Sequence, residues 1–219
     1  MSALAVVVLA AGKGTRMGNA IPKMLHPLAG APLLAHVLRS ASSLAPEQLV
    51  VVVSAYGEAV AATARKLRPD VQIVVQDPPL GTGHAVLKAL PLLPAAGTLL
   101  VVYGDTPLLR PATLAALRAA RERESGAVVV LGFYPDDRRG YGRLQCAADG
   151  RLFAIVEESE ADRFLLESAP CNAGVMALDL AIARALLSEL PLRLPKNEYY
   201  LTDLVALARE RGLGCRWLA

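Results

Sequence analysis

Six consecutive apolar residues, Leu4 to Leu9, run without a polar break into Ala10-Ala11-Gly12-Lys13-Gly14-Thr15-Arg16-Met17, and Pro22-Lys23 follows shortly afterwards. A strand without polar alternation has no face to give to water. A chain that begins this way must cover both sides of the sheet it enters, as parallel sheets wrapped by helices do. The loop after it holds two glycines, two bases and a hydroxyl. Glycine lets backbone N–H groups approach an anion closely, and Lys or Arg then neutralises its charge. A strand that empties into such a loop can hold a polyphosphate at its carboxyl end.

Two common phosphate loops are excluded. Walker A would need glycine at position 7 and Ser or Thr directly after Lys13, where Val7 and Gly14 stand. The dinucleotide fingerprint would need Gly or Ala at position 17, where Met17 stands.

The pattern that follows is regular. Apolar runs over 4–9, 49–53, 71–75, 98–103 and 128–133 predict strands, and residues 32–44, 58–67, 83–90 and 111–123 predict helices between them. Alternating βαβ units connect right-handedly and place ligands at the carboxyl ends of the strands, where Gly12, Gln76 and Gly104-Asp105 all fall. After about residue 135 the rhythm changes. Segments 141–146 and 152–157 flank Asp149-Gly150, a hairpin signal. A strand over 172–178 and helices over 180–190 and 201–211 follow, the last with its start marked by Asp203. Residues 212–219 read as a strand that stops without a closing element. The second part reads as a lid or sub-lobe on the first. At 219 residues and 54% hydrophobic content, one large domain has ample core.

Several classes are set aside. No apolar run approaches the roughly 20 residues of a membrane span, and the start lacks the basic region and cleavage pattern of a signal peptide. The expected setting is the cytosol. A net charge of +3, from 23 bases and 20 acids, is too balanced to argue for nucleic acid, and no basic stripe is interleaved with aromatics. Cys146, Cys171 and Cys215 fit neither a zinc spacing nor a disulfide framework and read as reduced thiols.

Asp105 at a strand end is well placed to hold Mg²⁺, a hard cation that prefers carboxylate, water and phosphate oxygen. Asp or Thr followed by Pro107 is also a common helix start. Beside the first loop the metal reading is the stronger, with Thr106 as the cap and Asp105 facing the ligand. The Gln76 amide can offer a donor and an acceptor side by side, which suits a pyrimidine edge. It cannot choose between uracil and cytosine; backbone groups around Gly81 would have to. His84 reads as a helix-face histidine without a catalytic task. Gly140-Tyr141-Gly142-Arg143, Glu157, Asn172 and the 198–203 segment are individually weak signals. Together they supply the donors and acceptors that a sugar's hydroxyl and acetamido groups require.

Taken in order along the whole chain, these segments resemble a known family. They are Leu9 to Met17 with Pro22-Lys23, Leu80-Gly81-Thr82-Gly83-His84, Tyr103-Gly104-Asp105, Gly140-Tyr141-Gly142-Arg143, Ile155-Val156-Glu157 and Glu198-Tyr199-Tyr200-Leu201-Thr202-Asp203. The chain is similar to the N-terminal uridyltransferase domain of the bacterial bifunctional N-acetylglucosamine-1-phosphate uridyltransferase/glucosamine-1-phosphate acetyltransferases. The resemblance implies an α/β, Rossmann-like nucleotidyltransferase fold. Its sheet would be mixed and mostly parallel, flanked by helices, with a small β-rich sugar-binding lobe. Residues 1–219 would form a single domain, with 1–135 binding the nucleotide and 136–219 the sugar.

The resemblance also implies roles. Leu9, Ala11, Gly12, Gly14, Thr15, Arg16 and Lys23 would meet the nucleotide and its triphosphate, and Gln76, Gly81 and Thr82 the uracil. Asp105 would ligate magnesium, and Arg16, Lys23 and Asp105 would carry catalysis. Gly140, Glu157, Asn172, Tyr200 and Thr202 would hold the N-acetylglucosamine moiety. The implied reaction converts UTP and N-acetylglucosamine 1-phosphate into UDP-N-acetylglucosamine, a peptidoglycan and lipopolysaccharide precursor, and pyrophosphate. The attacking phosphate, with a second pKa near about 6, is largely dianionic at neutral pH and requires no general base.

The chain departs from the family in four places. Pro79 stands where the family often has glutamine. Asn172 sits in Cys171-Asn172-Ala173-Gly174, where the family more often shows Asn-Thr/Ser-Gly. The segment 194–197 before Glu198 is short. A second magnesium ligand, an asparagine in a Val-Asn-Asn-like motif, is expected beyond residue 219, as is the left-handed β-helix of the acetyltransferase. The expectation is thus either a shortened piece or a short homologue. The competing functional readings are another sugar-1-phosphate nucleotidyltransferase, or a nucleotide-sugar-binding fragment of low activity.

Overall fold

The computed structural model describes residues 2–12, 21–123 and 126–219. The chain opens with β1 (Leu4–Ala10), a short 3-10 turn at Lys23–Leu25, and a small ribbon of β2 (Pro27–Leu28) and β3 (Ala31–Pro32). Then α1 (Leu33–Ser42), β4 (Gln48–Ser54), α2 (Glu58–Leu67), β5 (Gln72–Gln76), α3 (Gly81–Ala89), β6 (Thr98–Tyr103), α4 (Pro111–Arg123) and β7 (Val128–Phe133) alternate. A hairpin of β8 (Arg143–Cys146) and β9 (Leu152–Val156) precedes α5 (Arg163–Ser168) and β10 (Cys171–Asp179). The chain finishes with α6 (Leu180–Leu187), a ribbon of β11 (Leu192–Arg193) and β12 (Glu198–Tyr199), α7 (Leu204–Glu210) and β13 (Cys215–Leu218).

The central path of the sheet runs β13-β7-β10-β6-β1-β4-β5. Every strand on it points the same way except β10, which is antiparallel to both β6 and β7. The sheet is therefore mixed and mostly parallel, as expected, and helices cover both faces. β1 explains why. Its residues are all buried; Ala5, Val7 and Leu9 face a core built with α3, α6 and α7, while Leu4, Val6, Val8 and Ala10 face one built with α1, α2 and α4. A fully buried Val or Leu is worth about 1.5–3 kcal/mol over an exposed one, so a polar residue anywhere in β1 would damage one of two cores.

Strand direction positions the site. β1, β5 and β6 deliver their carboxyl ends, and therefore Gly12, Gln76 and Asp105, to one edge of the sheet. Because β10 is reversed, its beginning lies at that same edge. Cys171 pairs with Phe133 and with Arg143, and Met176 pairs with Val101. Asn172 and Gly174 thus arrive beside Tyr103 from the opposite direction, with the β8–β9 hairpin attached.

Three arginines are built into the fold. Arg121 of α4 is 8% exposed and donates to Asp179 at 2.9 Å and to the Thr98 hydroxyl at 3.0 Å, tying helix to sheet. Arg184 donates to the carbonyls of Leu90, Leu93 and Pro94. The buried Arg143 bonds the carbonyls of Leu166 and Tyr141.

The structure corrects several boundaries. The expected helix over 201–211 divides into a 3-10 turn at Leu201–Asp203 and α7. Asp203 stands at the head of α7 but makes no side-chain cap there, because its carboxylate is taken by Arg193. Neither Asp105 nor Thr106 caps a helix, since α4 starts only at Pro111 and the Thr106 hydroxyl donates to the Tyr103 carbonyl at 2.7 Å. The ribbons and α5 were not anticipated; at two to six residues they are too short to show a period. The closing strand joins the sheet as β13, parallel to β7. All three cysteines are free, two buried and Cys146 half-buried. Among the described residues no helix is long and apolar enough to cross a membrane.

Candidate active site

An open cleft of about 730 Å³ lies along the carboxyl edge of the sheet, a volume typical of small-molecule sites. The structure brings Leu9, Ala11, Gly12, Lys23, Gln76, Gly81, Thr82 and Asp105 together around it with Gly140, Glu157, Asn172, Tyr200 and Thr202. Every expected site residue that is described therefore lines this cleft. Gly14, Thr15 and Arg16 lie outside the described residues.

Lys23 reaches the cleft because Met24 is an anchor. Met24 is 4% exposed, and its sulfur packs so closely beneath Gly104 that a Cβ there would stand 3.1 Å from it. The turn at Lys23–Leu25 is pinned under the Gly104-Asp105 corner, and the Lys23 ammonium donates to Asp105 Oδ2 at 2.7 Å. A cation and an oxygen ligand thus sit side by side at the end of β6.

The cleft around Gln76 is more tightly arranged than the sequence suggests. Gln76, buried at the end of β5, donates its amide nitrogen to the Gly81 carbonyl at 2.8 Å and faces His84 Nδ1 at 3.2 Å. Burial, and then the charge of Lys88, lower the His84 pKa, which keeps the ring neutral and Nδ1 able to accept. The Gln76 amide nitrogen is thus turned toward the Gly81 carbonyl and the His84 ring.

Gly81 is required where it stands. Its φ is +92°, and a Cβ would lie 2.7 Å from the Tyr199 carbonyl oxygen and 2.9 Å from Glu198 Cβ. β12 is thereby laid directly over the start of α3. Tyr199 N–H donates to the Leu80 carbonyl at 2.8 Å, and Leu201 N–H donates to the Thr82 hydroxyl at 3.0 Å.

Tyr103, not among the expected site residues, also lines the cleft. Its phenol bonds Thr82. Burial raises its pKa to about 12, with Asp105 and Glu157 adding to the rise and the Thr82 bond opposing it. The ring lies so close under Gly174 that a Cβ there would be 2.6 Å away. Asn172 Oδ1 accepts from Gly174 N–H at 2.9 Å, which fixes this approach. The signal available in sequence was the Tyr103-Gly104-Asp105 corner itself, since a strand's last residue must face the ligand edge.

Glu157, in the same cleft, is half-buried. Burial first, then the Glu160 and Asp203 carboxylates, raise its pKa, while Lys196 and Arg193 hold it down. Gly140, at φ +80°, donates its N–H to Glu158 Oε2 at 3.0 Å. Lys196 lies over the Tyr200 ring at 5.8 Å.

A mostly parallel sheet of this order, flanked by helices and opening a polar cleft at its strand ends, is the architecture of a nucleotidyltransferase. Solved structures agree on the fold. A putative glucose-1-phosphate thymidylyltransferase from Bacillus anthracis superimposes with TM-score 0.79 at 17% identity, over 99% of this chain and 86% of that one. A UDP-glucose pyrophosphorylase complexed with UDP-glucose gives 0.78 at 19% identity, over 99% and 91%. The sequence is more specific: residues 6–191 match the model of the MobA-like NTP transferase domain, and the chain belongs to that family. Among curated relatives it is 48% identical over 208 residues to the bifunctional protein GlmU of Rhodopseudomonas palustris, covering 94% of this chain and 46% of that protein. It is also 48% identical over 216 residues to the GlmU of Paramagnetospirillum magneticum, covering 98% and 47%. The chain spans about half the length of the curated relatives it matches.

Proposed function

We propose that the chain transfers the uridylyl group of UTP to N-acetylglucosamine 1-phosphate, releasing pyrophosphate and forming UDP-N-acetylglucosamine. One observation carries this reading: residues scattered from position 9 to position 202, singled out for two different ligands, line a single cleft. The relatives named GlmU, similar over nearly the whole chain, support the same choice.

In this reading the Gly12 corner and Lys23 face the triphosphate, and the Gln76 carbonyl, held by His84, accepts from the base. Glu157, Asn172, Tyr200 and Thr202 fix the sugar so that a phosphate oxygen of the sugar phosphate lies in line with the α-phosphorus. Positioning and charge neutralisation are the catalytic contributions; the nucleophile is already ionised. The residues fit magnesium. Asp105 offers carboxylate oxygen at the strand ends, and among the described residues no group of three or more acidic, His or Cys side chains forms a closed cage. A metal held by one or two carboxylates, with water and substrate phosphates completing its shell, is the usual magnesium arrangement. Bound there, magnesium supplies positive charge against the phosphates. Residues 1–219 act in this reading as one nucleotidyltransferase domain.

The test is pyrophosphate release from a panel of nucleoside triphosphates crossed with sugar 1-phosphates, with and without a chelator. Turnover is expected with UTP and N-acetylglucosamine 1-phosphate and lost on chelation. Preference for another pair, or no turnover with any, overturns the reading.

A further inference from the structure

The sugar side of the cleft is carried by two segments far apart in the chain, around Glu157 and around Glu198 to Thr202, and one side chain outside the cleft grips both. Arg193 of β11 donates Nε to Asp203 Oδ2 at 2.9 Å and Nη2 to Asp203 Oδ1 at 2.6 Å. Its Nη1 stands 4.0 Å from Glu160 Oε1. Both carboxylates belong to turns that are closed by backbone bonds onto a cleft residue: Glu160 N–H donates to the Glu157 carbonyl at 2.9 Å, and Asp203 N–H to the Tyr200 carbonyl at 3.2 Å. Asp203 is 6% exposed. Moving either carboxylate therefore moves a residue of the wall.

A guanidinium suits this place because its planar fork can hold one carboxylate bidentately and still present a third nitrogen to another; an ammonium offers only a point charge. β11 pairs with β12 in a register that sets Arg193 opposite Glu198. The ribbon is thus closed at its base by a strand pair and at its far side by the ion pair.

The geometry points to Arg193 as a positioning residue, a latch that fixes the spacing between the Glu157 turn and the Tyr200–Thr202 turn and so sets affinity for the sugar 1-phosphate. The inference rests on the sugar-phosphate reading of the cleft. Gln76 and Lys23 are held by other bonds, whereas the latched segment bonds Leu80 through Tyr199 N–H and Thr82 through Leu201 N–H.

The test combines steady-state kinetics with amide hydrogen exchange on Arg193→Ala, Arg193→Lys and Glu160→Gln. Arg193→Ala is expected to raise KM for N-acetylglucosamine 1-phosphate about tenfold or more, with a distinctly smaller rise in KM for UTP, since the loosened segment also bonds Leu80 and Thr82. Exchange should accelerate in both the 157–161 and 198–203 segments while β1 and β4 keep their protection. Arg193→Lys should recover part of the loss. Glu160→Gln, a change at an exposed carboxylate that leaves the Asp203 bonds intact, should raise the sugar-phosphate KM about two- to threefold and loosen chiefly the 157–161 segment. Unchanged exchange in either segment of Arg193→Ala, or accelerated exchange with an unchanged sugar-phosphate KM, overturns the latch. No turnover by the unsubstituted chain overturns the reaction instead, and exchange alone then decides the latch.

Discussion

Lys23→Ala separates a residue that holds the fold from one that holds a phosphate. The Lys23–Asp105 pair is close, 2.7 Å, but Lys23 is 40% exposed and Asp105 22%. Two unit charges at about 4 Å gain roughly 1 kcal/mol in bulk water and roughly 4 at the effective dielectric of a protein surface. Screening and the entropy of ordering a long side chain reduce exposed pairs to about 0–1 kcal/mol. Asp105 stays open to water when its partner is removed, so no buried charge is orphaned. For a domain of 150–250 residues, 1 kcal/mol corresponds to about 2–4 °C in Tm, and the variant should melt within that margin of the parent. Turnover is another matter. Removing one preorganised donor from a developing anion costs about 10²–10³ in rate. The expected result is a loss of that size in kcat/KM, by pyrophosphate release, with a calorimetric Tm almost unmoved. A Tm lowered by more than about 8 °C with turnover retained would mean that the pair is a strut under the Gly104 corner, and the phosphate role would be refuted.

Three further outcomes follow from the same geometry. Gly81→Ala must adopt φ +92° and drive a Cβ to 2.7 Å from the Tyr199 carbonyl; backbone strain of about 1–3 kcal/mol should lower Tm by roughly 2–12 °C and raise KM for both substrates, and an unchanged Tm would show that β12 lifts off freely. His84→Ala removes the acceptor that holds the Gln76 amide, so KM for UTP should rise several-fold with kcat little changed; an unaltered KM would mean that the Gly81 carbonyl suffices. Glu157→Gln tests a raised pKa. A carboxylate whose folded pKa exceeds its unfolded one costs stability above the folded value and nothing below the unfolded value. The substitution should therefore raise Tm at neutral pH, by a margin that shrinks as pH falls through the raised pKa toward the ordinary carboxylate range, while KM for the sugar phosphate rises. A lower Tm at neutral pH would contradict this.

How much of this was legible depends on whether a feature is local. β1 announced itself because burial on both faces erases polar alternation, and parallel strands then oblige Gly12, Gln76 and Asp105 to share an edge. The reversal of β10 was invisible: residues 172–178 read the same in either direction, and only pairing with β6 and β7 orients them. The interior bonds of Arg121, Arg143 and Arg184 are not legible, because sequence shows the charge and not the carbonyls and carboxylates that satisfy it. Gln76 at the end of β5 follows from the strand pattern, whereas its approach to His84, eight residues away, depends on the rotation of a helix that sequence does not give.

The placement of β10 also explains why both sets of residues share one cleft. Had it been added at the sheet's margin, the sugar-side residues would sit one or more strands away from Asp105, about 5 Å for each strand. Inserted between β6 and β7, it sets Gly174 against the Tyr103 ring, while the Tyr103 phenol bonds Thr82 on the nucleotide side. Both close approaches depend on missing side chains, at Gly174 over the ring and at Gly81 under β12. The two sides of the cleft therefore have a common floor in the last residue of β6. A change in the tilt of that ring would shift the base-side helix and the sugar-side turn together. An in-line reaction between two separately bound phosphates needs this kind of rigid common reference, because misplacement of about 1 Å can cost as much as 10²-fold in rate.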